Sequence, residues 1–221
     1  MKRVIILGMS GFGNAALRAI LRSNGLPVAV FIPKMDAFHT GQSLKNMADE
    51  NSIPVFQGLN FRQSTTWEIV KSLQPDLIII ATFRQIIPQE IIDIPTIGVF
   101  NIHPSLLPKY RGSTPIEWAF YKEEVETGIT IHWVEDEIPD SGRVVIRKRV
   151  PIDYKKDLHY LWNHLIKLSE SLVETALCLI SAWEKDEFVD QEEDEATWYP
   201  HFRNYFEGAG VKENLWQRQS I

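Results

Sequence analysis

An amide and an imidazole lie two residues apart where an apolar stretch of the sequence ends, at Asn101 and His103. The proline that follows, Pro104, has no amide hydrogen and therefore ends the pairing of a strand. Side chains two apart on a strand share a face, so Asn101 and His103 point the same way, with Phe100 and Ile102 opposite. Together they could bond one polar ligand atom. The alternative is a capping asparagine beside a histidine whose hydrogen bonds are satisfied internally.

A carboxylate further along the chain, Asp140, completes a candidate site with this pair. A carboxylate beside a histidine raises the pKa of the imidazole and fixes its tautomer, so the ring can accept or relay a proton near neutral pH. An amide donor together with the imidazole can bond an oxygen that gains negative charge. The set fits attack on a carbonyl without an enzyme nucleophile, since Ser105 lacks flanking elbow glycines and Cys178 is remote. The six histidines lack the spacing of zinc ligands, so no metal is predicted.

Composition excludes several classes of function. The 221 residues carry 23 basic and 29 acidic side chains, which gives a net charge of −6. This charge argues against electrostatic binding to nucleic acid or to an anionic membrane. The single cysteine, Cys178, excludes an internal disulfide, and its apolar helical surroundings predict a buried side chain. No apolar run reaches the roughly 20 residues of a membrane span, and the N-terminal run is too short for a secretion signal. We therefore expect a cytoplasmic protein.

Strand and helix patterns alternate along the chain and position these residues. Buried strands are predicted at 4–7, 28–32, 53–56, 77–81 and 99–103, and strands of alternating polarity at 128–134 and 143–150. Helices are predicted between them, one of which starts with a capping box of Thr65 and Glu68, and the longest spans 153–183. This order indicates an α/β, Rossmann-like fold: a mostly parallel twisted sheet with helices on both faces and an antiparallel extension. The short third strand contains a proline and is placed at an edge.

The glycines after the first strand do not predict a nicotinamide cofactor. Gly8, Gly11 and Gly13 have the spacing G-x-x-G-x-G, whereas the dinucleotide fingerprint is G-x-G-x-x-G, and no acidic residue ends the second strand. The glycines could hold an anion at a helix start. We favour the simpler interpretation that they permit a tight turn.

Two loops are expected to form a cleft around Asn101 and His103. Strands 77–81 and 99–103 are predicted as parallel neighbours, so the loops at 82–88 and 104–112 leave the same edge of the sheet, where α/β proteins bind ligands. The loop at 135–142, which carries Asp140, is longer than a hairpin needs, and such loops are often functional.

At these residues the sequence resembles the formyltransferases that use 10-formyltetrahydrofolate. The resemblance covers residues 1 to about 152 and rests on four motifs: Asn101-Ile102-His103, Ser105-Leu106-Leu107-Pro108, Tyr110-Arg111-Gly112 and Asp140-Ser141-Gly142. In the last motif the family usually has Asp-Thr-Gly or Asp-Ala-Gly. By this resemblance Asn101 and His103 bond the formyl oxygen and the tetrahedral intermediate. His103 takes or relays the proton of the incoming amine, and Asp140 holds His103 and keeps it charged.

The resemblance also implies a folate pocket and a co-substrate, N10-formyltetrahydrofolate. Backbone groups of three segments would recognise the pterin, and the segments comprise Phe83, Arg84, Gln85, Ile86, Ile87, Ser105, Leu106, Leu107, Pro108, Asp136, Glu137 and Ile138.

The branch of the family that the chain resembles predicts which molecule accepts the formyl group. Residues 113–119, 51–55 and 75–78 resemble the methionyl-tRNA and amino-sugar branches, whereas Ser10–Gly13 partly resembles the phosphate loop of glycinamide ribonucleotide transformylases. The tRNA enzymes carry a C-terminal barrel domain, while the stretch after Val150 here is mostly one helix. Binding tRNA also requires basic residues that neutralise phosphates. We therefore expect a small-molecule amine, most readily the amino group of a nucleotide-linked 4-amino-4,6-dideoxy sugar. The alternatives are a methionyl-tRNA or glycinamide ribonucleotide formyltransferase, a formyltetrahydrofolate hydrolase, and a non-catalytic folate-binding domain.

We expect the chain to divide into a catalytic domain, residues 1–183, and a short C-terminal extension, residues 184–221. The extension is rich in aromatic residues, which indicates packing on the body of the protein, on a partner subunit or over the cleft. The resemblance is compatible with a homodimer.

Overall fold

A computed structural model describes residues 1–35, 42–182 and 187–202, except for the side chain of Ser181. The strands are β1 (Lys2–Gly8), β2 (Gly25–Ile32), β3 (Val55–Gln57), β4 (Leu77–Ala81), β5 (Gly98–His103), β6 (Glu126–Val134) and β7 (Val144–Pro151). The helices are α1 (Phe12–Arg22), α2 (Leu44–Glu50), α3 (Ser64–Ser72), α4 (Gln89–Ile92), α5 (Pro115–Tyr121) and α6 (Leu158–Ala182), and a 3-10 helix covers Glu193–Glu195.

The sheet has the fold predicted from the sequence. Its seven strands lie in the order β3-β2-β1-β4-β5-β6-β7. The pairs from β3 to β5 are parallel, and β6 and β7 extend the sheet in antiparallel fashion. The Rossmann-like α/β prediction is therefore confirmed, as is the edge position of β3.

Helices cover each face of the sheet, and this explains why β1 is apolar at consecutive positions from Val4 to Leu7. Val4 and Ile6 belong to the core beneath α1, α2, α5 and α6, and Ile5 and Leu7 belong to the core beneath α3 and α4. A strand covered on both faces needs apolar residues at consecutive positions. Each fully buried aliphatic side chain of this kind contributes about 1.5–3 kcal/mol.

Two helix starts differ from the prediction. Helix α3 begins at Ser64 with Gln63 as its N-cap and without a side-chain cap, so the predicted capping box of Thr65 and Glu68 is wrong. Thr65 lies inside the helix instead of at its N-cap. Helix α6 begins at Leu158 and not at Asp153, because the Asp157 carboxylate accepts a hydrogen bond from the Tyr160 amide at 2.8 Å, an N-cap contact.

Two further predictions are corrected. Strand β6 starts at Glu126, two residues before the predicted start at residue 128. Cys178 is exposed on α6, whereas its neighbours Ala176 and Leu177 are buried. The apolar run did not reveal which side of the helix faces solvent.

Polar groups of the glycine turn between β1 and α1 have hydrogen-bond partners within the protein. The Gly11 amide donates to Asn14 Oδ1 at 2.8 Å, and Ser10 Oγ accepts from the Leu44 amide at 2.8 Å. Gly11 has φ +96°, a region that favours glycine. A Cβ on Gly13 would lie 2.5 Å from Leu44 Cδ2. This geometry supports the turn interpretation over an anion site.

Residues 187–202 pack on the body of the protein. Tyr199 stacks on Tyr110 and on Trp118, with ring centroids 5.1 and 5.0 Å apart, and Phe202 contacts Trp118 edge-on. Of the three locations that the aromatic residues suggested, the described part occupies the first. Tyr205, Phe206 and Trp216, which entered the same prediction, lie outside the described residues.

Within the described ranges, no helix combines the length and the apolar character needed to cross a membrane.

Candidate active site

Asn101 and His103 lie at the C-terminal end of β5 and share a face of the sheet, as predicted. Their neighbours Phe100 and Ile102 belong to the core on the opposite face. Strand β6 runs beside them and places His132 opposite Asn101 in the antiparallel register. The loops after β4 and β5 leave the same edge, because these two strands are parallel neighbours.

The third predicted residue, Asp140, reaches this pair from the loop between β6 and β7. Its Oδ1 lies 3.3 Å from His103 Nδ1 and accepts a hydrogen bond from Asn101 Nδ2 at 3.0 Å. Its Oδ2 accepts from the Gly112 amide at 2.9 Å. The structure thus brings the three predicted residues together, and one carboxylate joins them.

The hydrogen bonds of His103 indicate a protonated ring. Nε2 lies 2.8 Å from the Tyr110 carbonyl oxygen, which can only accept, so this nitrogen carries hydrogen. Nδ1 faces the Asp140 carboxylate, which also accepts. Burial lowers the pKa of His103, but the charge and hydrogen bond of Asp140 and the Tyr110 carbonyl outweigh burial, so the pKa lies above its usual value.

Asp140 shows the complementary shift. Burial raises the pKa of this carboxyl group, but the charge and hydrogen bond of His103 hold it well below its usual range. The site is therefore a buried imidazolium–carboxylate pair.

The Asn101 amide is oriented by its surroundings. Its nitrogen must face Asp140, because the amide oxygen in that place would meet a carboxylate that cannot donate. The same nitrogen lies 3.2 Å from His132 Nε2. Both of its hydrogens thus have acceptors inside the site, so a bound carbonyl oxygen must replace one of them.

His132 is the site residue that the sequence reasoning missed. It is 1% exposed, and its Nδ1 lies 2.8 Å from the Trp133 carbonyl oxygen and so carries hydrogen. In that tautomer Nε2 accepts from Asn101. The alternation in β6 did predict which face His132 shares with Thr130, but the register that sets it beside Asn101 is not visible in the sequence. Among the described residues, no group of three or more His, Cys, Asp or Glu is arranged to hold a metal ion.

The first predicted folate segment, residues 83–87, follows β4. Gln85 is fixed at both ends: its Oε1 accepts from the Phe61 amide at 3.0 Å, and its Nε2 donates to the Leu59 carbonyl at 2.8 Å. The Phe83 ring contacts the Phe61 ring edge-on at 5.0 Å between centroids. These contacts hold the segment against the loop at 59–61.

The rest of this segment presents its backbone. Ile87 is buried, while Arg84 and Ile86 are exposed. Within the described ranges, the backbone N–H and C=O groups of residues 83–87 have no hydrogen-bond partner. Such groups are available to a polar ligand.

The second predicted segment, Ser105 to Pro108, turns most of its side chains inward. Ser105 and Leu107 are fully buried, and Pro108 follows a cis peptide bond. Thr130 Oγ1 donates to the Ser105 carbonyl at 2.7 Å and accepts from the Leu107 amide at 3.1 Å. Leu106 is half-buried. This segment forms a wall beside His103, and most of its side chains do not reach the cleft.

The third predicted segment is exposed and contacts Gln89, two residues after the first segment. Asp136 Oδ1 accepts from the Ile138 amide at 2.8 Å, which shapes a local turn, and Ile138 is 58% exposed. Glu137 Oε1 accepts from the Gln89 amide at 3.3 Å, next to residues 83–87. This contact places the third segment close to the first.

Comparison with known proteins agrees with this geometry. The sequence matches the model of the family described as formyl transferase over residues 2–177. The methionyl-tRNA formyltransferase of Geobacter sulfurreducens is 34% identical over 185 residues, which cover 81% of this chain and 58% of that protein. The chain thus spans less than two thirds of the length of this relative.

Solved structures show the same fold. The N-formyltransferase from Helicobacter canadensis, in complex with folinic acid and dTDP-3-aminofucose, has a TM-score of 0.73 at 23% identity and covers 90% of this chain and 71% of that one. The phosphoribosylglycinamide formyltransferase from Bacillus halodurans has a TM-score of 0.67 at 25% identity and covers 84% and 97%.

Proposed function

Because the chain belongs to the formyl transferase family, we propose that it transfers a formyl group from N10-formyltetrahydrofolate to the primary amine of a small molecule. The observation that carries this proposal is the buried His103–Asp140 pair with the Asn101 amide on the same carboxylate. A donor amide and a charged imidazole at one point can stabilise an oxyanion and move one proton. Direct attack of an amine on a formyl carbon needs both.

In the proposed reaction one C–N bond forms and another breaks. The amine lone pair attacks the formyl carbon, and the carbonyl electrons move to oxygen, where the Asn101 amide bonds the developing charge. Collapse of this intermediate breaks the bond from carbon to N10 of the folate. His103 gives a proton to N10 and regains one from the amine nitrogen, so the enzyme ends unchanged. Asp140 orients the imidazole and stabilises its charged form before the proton is given and after it is regained.

Binding of the formyl group must exchange a hydrogen bond within the site. Asn101 and His103 already donate to internal acceptors at 2.8 to 3.3 Å. Hydrogen bonds of unliganded sites often rearrange when substrate binds. Two contacts can be given up without separating the His103–Asp140 ion pair: Asn101 Nδ2 to His132 Nε2, at 3.2 Å, and His103 Nε2 to the Tyr110 carbonyl oxygen, at 2.8 Å.

For the folate we propose the region between residues 83–87 and 136–138. Within the part of the chain that the structure describes, the backbone groups of the first segment have no hydrogen-bond partner, which supports recognition of the pterin by main-chain groups whatever the side chains are. The wall at 105–108 would enclose the ring system. No metal ion is part of this proposal.

As acceptor we propose the amino group of a nucleotide-linked 4-amino-4,6-dideoxy sugar. The net charge of −6 supports a small acceptor over a polyanion, and the fold is that of an N-formyltransferase solved with dTDP-3-aminofucose. Methionyl-tRNA is the second candidate, because the Geobacter sulfurreducens relative acts on it by name.

The test is an acceptor screen with the purified chain and N10-formyltetrahydrofolate. The acceptors are nucleotide-linked amino sugars, glycinamide ribonucleotide and charged initiator tRNA, and the readouts are the mass of the formylated acceptor and the release of tetrahydrofolate. We expect His103→Ala and Asp140→Ala to abolish transfer while a folate analogue still binds. Near-normal turnover in either variant contradicts the proposed roles, and formate release without an amine indicates a hydrolase.

A further inference from the structure

Residues 187–202, here called the strap, cross the two loops that carry the site. The strap pairs with the start of β7 through Val144 and Val189, whose amides each donate to the other's carbonyl at 2.8 and 3.3 Å. It then pairs with the loop after β5: the Thr197 amide donates to the Pro108 carbonyl at 3.3 Å, and the Arg111 amide donates to the Thr197 carbonyl at 2.9 Å. The strap is therefore bonded through backbone groups to the start of β7, just after the Asp140 loop, and to the loop after β5.

One strap side chain, Gln191, joins the two loops directly. Its Nε2 donates to the Asp140 carbonyl at 2.9 Å and to the Gly142 carbonyl at 2.7 Å. Its Oε1 accepts from the Arg111 guanidinium, at 2.9 Å from Nη2 and 3.3 Å from Nε. A single amide thus links the turn that holds the Asp140 carboxylate to the segment 110–112.

Arg111 is held in place from the other side. Its side chain is buried, Glu193 accepts from both terminal nitrogens at 2.9 and 2.6 Å, and the Trp198 ring lies 5.5 Å from the guanidinium carbon. A two-point contact between a guanidinium and a carboxylate is a strong and directional one. The guanidinium is thereby fixed where Gln191 can accept from it.

The segment around Arg111 makes a contact with each member of the ion pair. The residue before it, Tyr110, accepts from His103 Nε2 at 2.8 Å, and the residue after it, Gly112, donates to Asp140 Oδ2 at 2.9 Å. Displacement of this segment would therefore change both contacts together.

The Asp140 turn also needs external support. Asp140 has φ +59°, in the left-handed region, where a residue with a side chain is strained by roughly 1–2 kcal/mol. Such a conformation persists when its surroundings hold it. Gln191 satisfies the carbonyls on both sides of Ser141 and so holds the turn.

We propose that Gln191 is a positioning residue, which acts with the Arg111–Glu193 pair to hold Asp140 in register with His103 and Asn101. This inference rests on the proposed function for its kinetic consequence but not for its geometric one. If Gln191 only held the strap against the rest of the protein, its loss would lower the free energy of unfolding and leave the His103–Asp140 contact unchanged.

The test compares Gln191→Ala with Asp194→Ala, a change at an exposed position of the same strap. Loss of positioning at the reacting groups should lower kcat by about 10- to 100-fold, with a smaller change in the KM of the formyl donor. The titration of the His103 imidazole, followed by NMR, should move to lower pH in Gln191→Ala, since burial opposes protonation once Asp140 moves away. Asp194→Ala should match the wild type in both measurements.

An unchanged titration of His103 in folded Gln191→Ala overturns the proposal, whatever the effect on stability. If Gln191→Ala does not fold, Glu193→Ala, which releases Arg111 and leaves Gln191 in place, is measured in the same two ways with the same criterion. If the wild type formylates none of the acceptors, the proposed function fails, and the NMR titration still decides the role of Gln191.

Discussion

At the scale of single residues, the site is governed by the competition between burial and charge at His103. Burial alone would favour the neutral imidazole, but Asp140 supplies a full negative charge within 3.3 Å and Tyr110 a carbonyl acceptor at 2.8 Å. The ring therefore has hydrogen on both nitrogens before any substrate arrives. A proton donor that is already charged suits a reaction in which the leaving nitrogen must be protonated.

This ion pair makes stability depend on pH. The folded-state pKa of His103 is raised, so its contribution is fully present below the unfolded pKa of about 6.5 and is lost as the pH rises through the folded value. The pKa of Asp140 is lowered, so its contribution is present above the unfolded pKa of about 3.9 and is lost as the pH falls through the folded value.

We predict that the difference in unfolding free energy between wild type and Asp140→Asn is largest between about pH 4 and pH 6.5 and shrinks towards alkaline pH. Urea unfolding at a series of pH values measures it. Asp49→Asn on α2, remote from the site, serves as the control and should show no such profile. A difference that grows steadily from pH 6 to pH 9 would mean that His103 is not charged in the folded protein.

His132 should affect the reaction without being the proton carrier. In His132→Leu the Asn101 amide loses an acceptor, and the Trp133 carbonyl loses its donor. We expect a loss of stability of about 1–3 kcal/mol from the lost buried hydrogen bonds. We also expect a lower kcat, because an Asn101 amide held only by Asp140 is less firmly oriented as an oxyanion donor.

The measurement for His132→Leu is kcat with saturating formyl donor, together with urea unfolding. His132→Gln restores an acceptor near Asn101 and should recover part of the activity. Full activity in His132→Leu would show that Asp140 alone orients Asn101.

At the scale of elements, the loop after β5 depends on close contact with β6. Gly128 lies in β6, and a Cβ there would come within 2.2 Å of the Lys148 carbonyl oxygen and 2.5 Å of Leu106 Cδ2. The backbone carbonyl cannot yield easily, so the larger movement would fall on Leu106. This glycine therefore sets the position of the wall at 105–108.

We predict that Gly128→Ala lowers the free energy of unfolding by about 1–3 kcal/mol through overpacking and weakens the binding of a folate analogue. Lys148→Ala, which alters only an exposed side chain on the partner strand, is the matched control. Calorimetric titration measures the affinity for the folate analogue, and thermal unfolding measures the change in stability. Unchanged affinity for the analogue in a destabilised Gly128→Ala would show that the wall at 105–108 does not contribute to the folate pocket.

The elements also show which features a sequence can disclose. Period-two alternation and apolar runs predicted all seven strands and the faces of Asn101 and His103, because these patterns are local. Contacts between distant segments were not accessible. The register that brings His132 to Asn101 and the bond from Gln191 to the Asp140 turn depend on how the loops close. The start of α6 was misplaced because Asp157 competes with Asp153 as a cap.

At the scale of the whole molecule, the strap limits how the chain can be divided. The family match ends at residue 177, yet the contacts of the strap with the Asp140 turn involve residues 187–202. The division at residue 183 stays a prediction about domains. In structural terms, the described part of the extension completes the surroundings of the site.

The preference for one class of acceptor also belongs to the scale of the whole molecule, because the electrostatic field around the protein comes from all of its charges. With a net charge of −6 the protein repels a polyanion at long range, whereas a nucleotide-linked sugar carries only a few charges. A tRNA acceptor would require basic groups that release counterions when phosphates are bound. The salt dependence of kcat/KM therefore distinguishes the two acceptors without any mutation.

We predict that kcat/KM for the preferred nucleotide-linked amino sugar changes by less than about 10-fold between 50 and 200 mM salt, because few phosphate contacts are replaced by ions. Binding through six to ten phosphates would lower it by about 10³- to 10⁵-fold over the same range. Initial rates at low acceptor concentration measure the ratio, and addition of uncharged tRNA at each salt concentration is the control. Strong inhibition by tRNA at low salt that disappears at high salt would contradict the small-molecule acceptor and favour methionyl-tRNA.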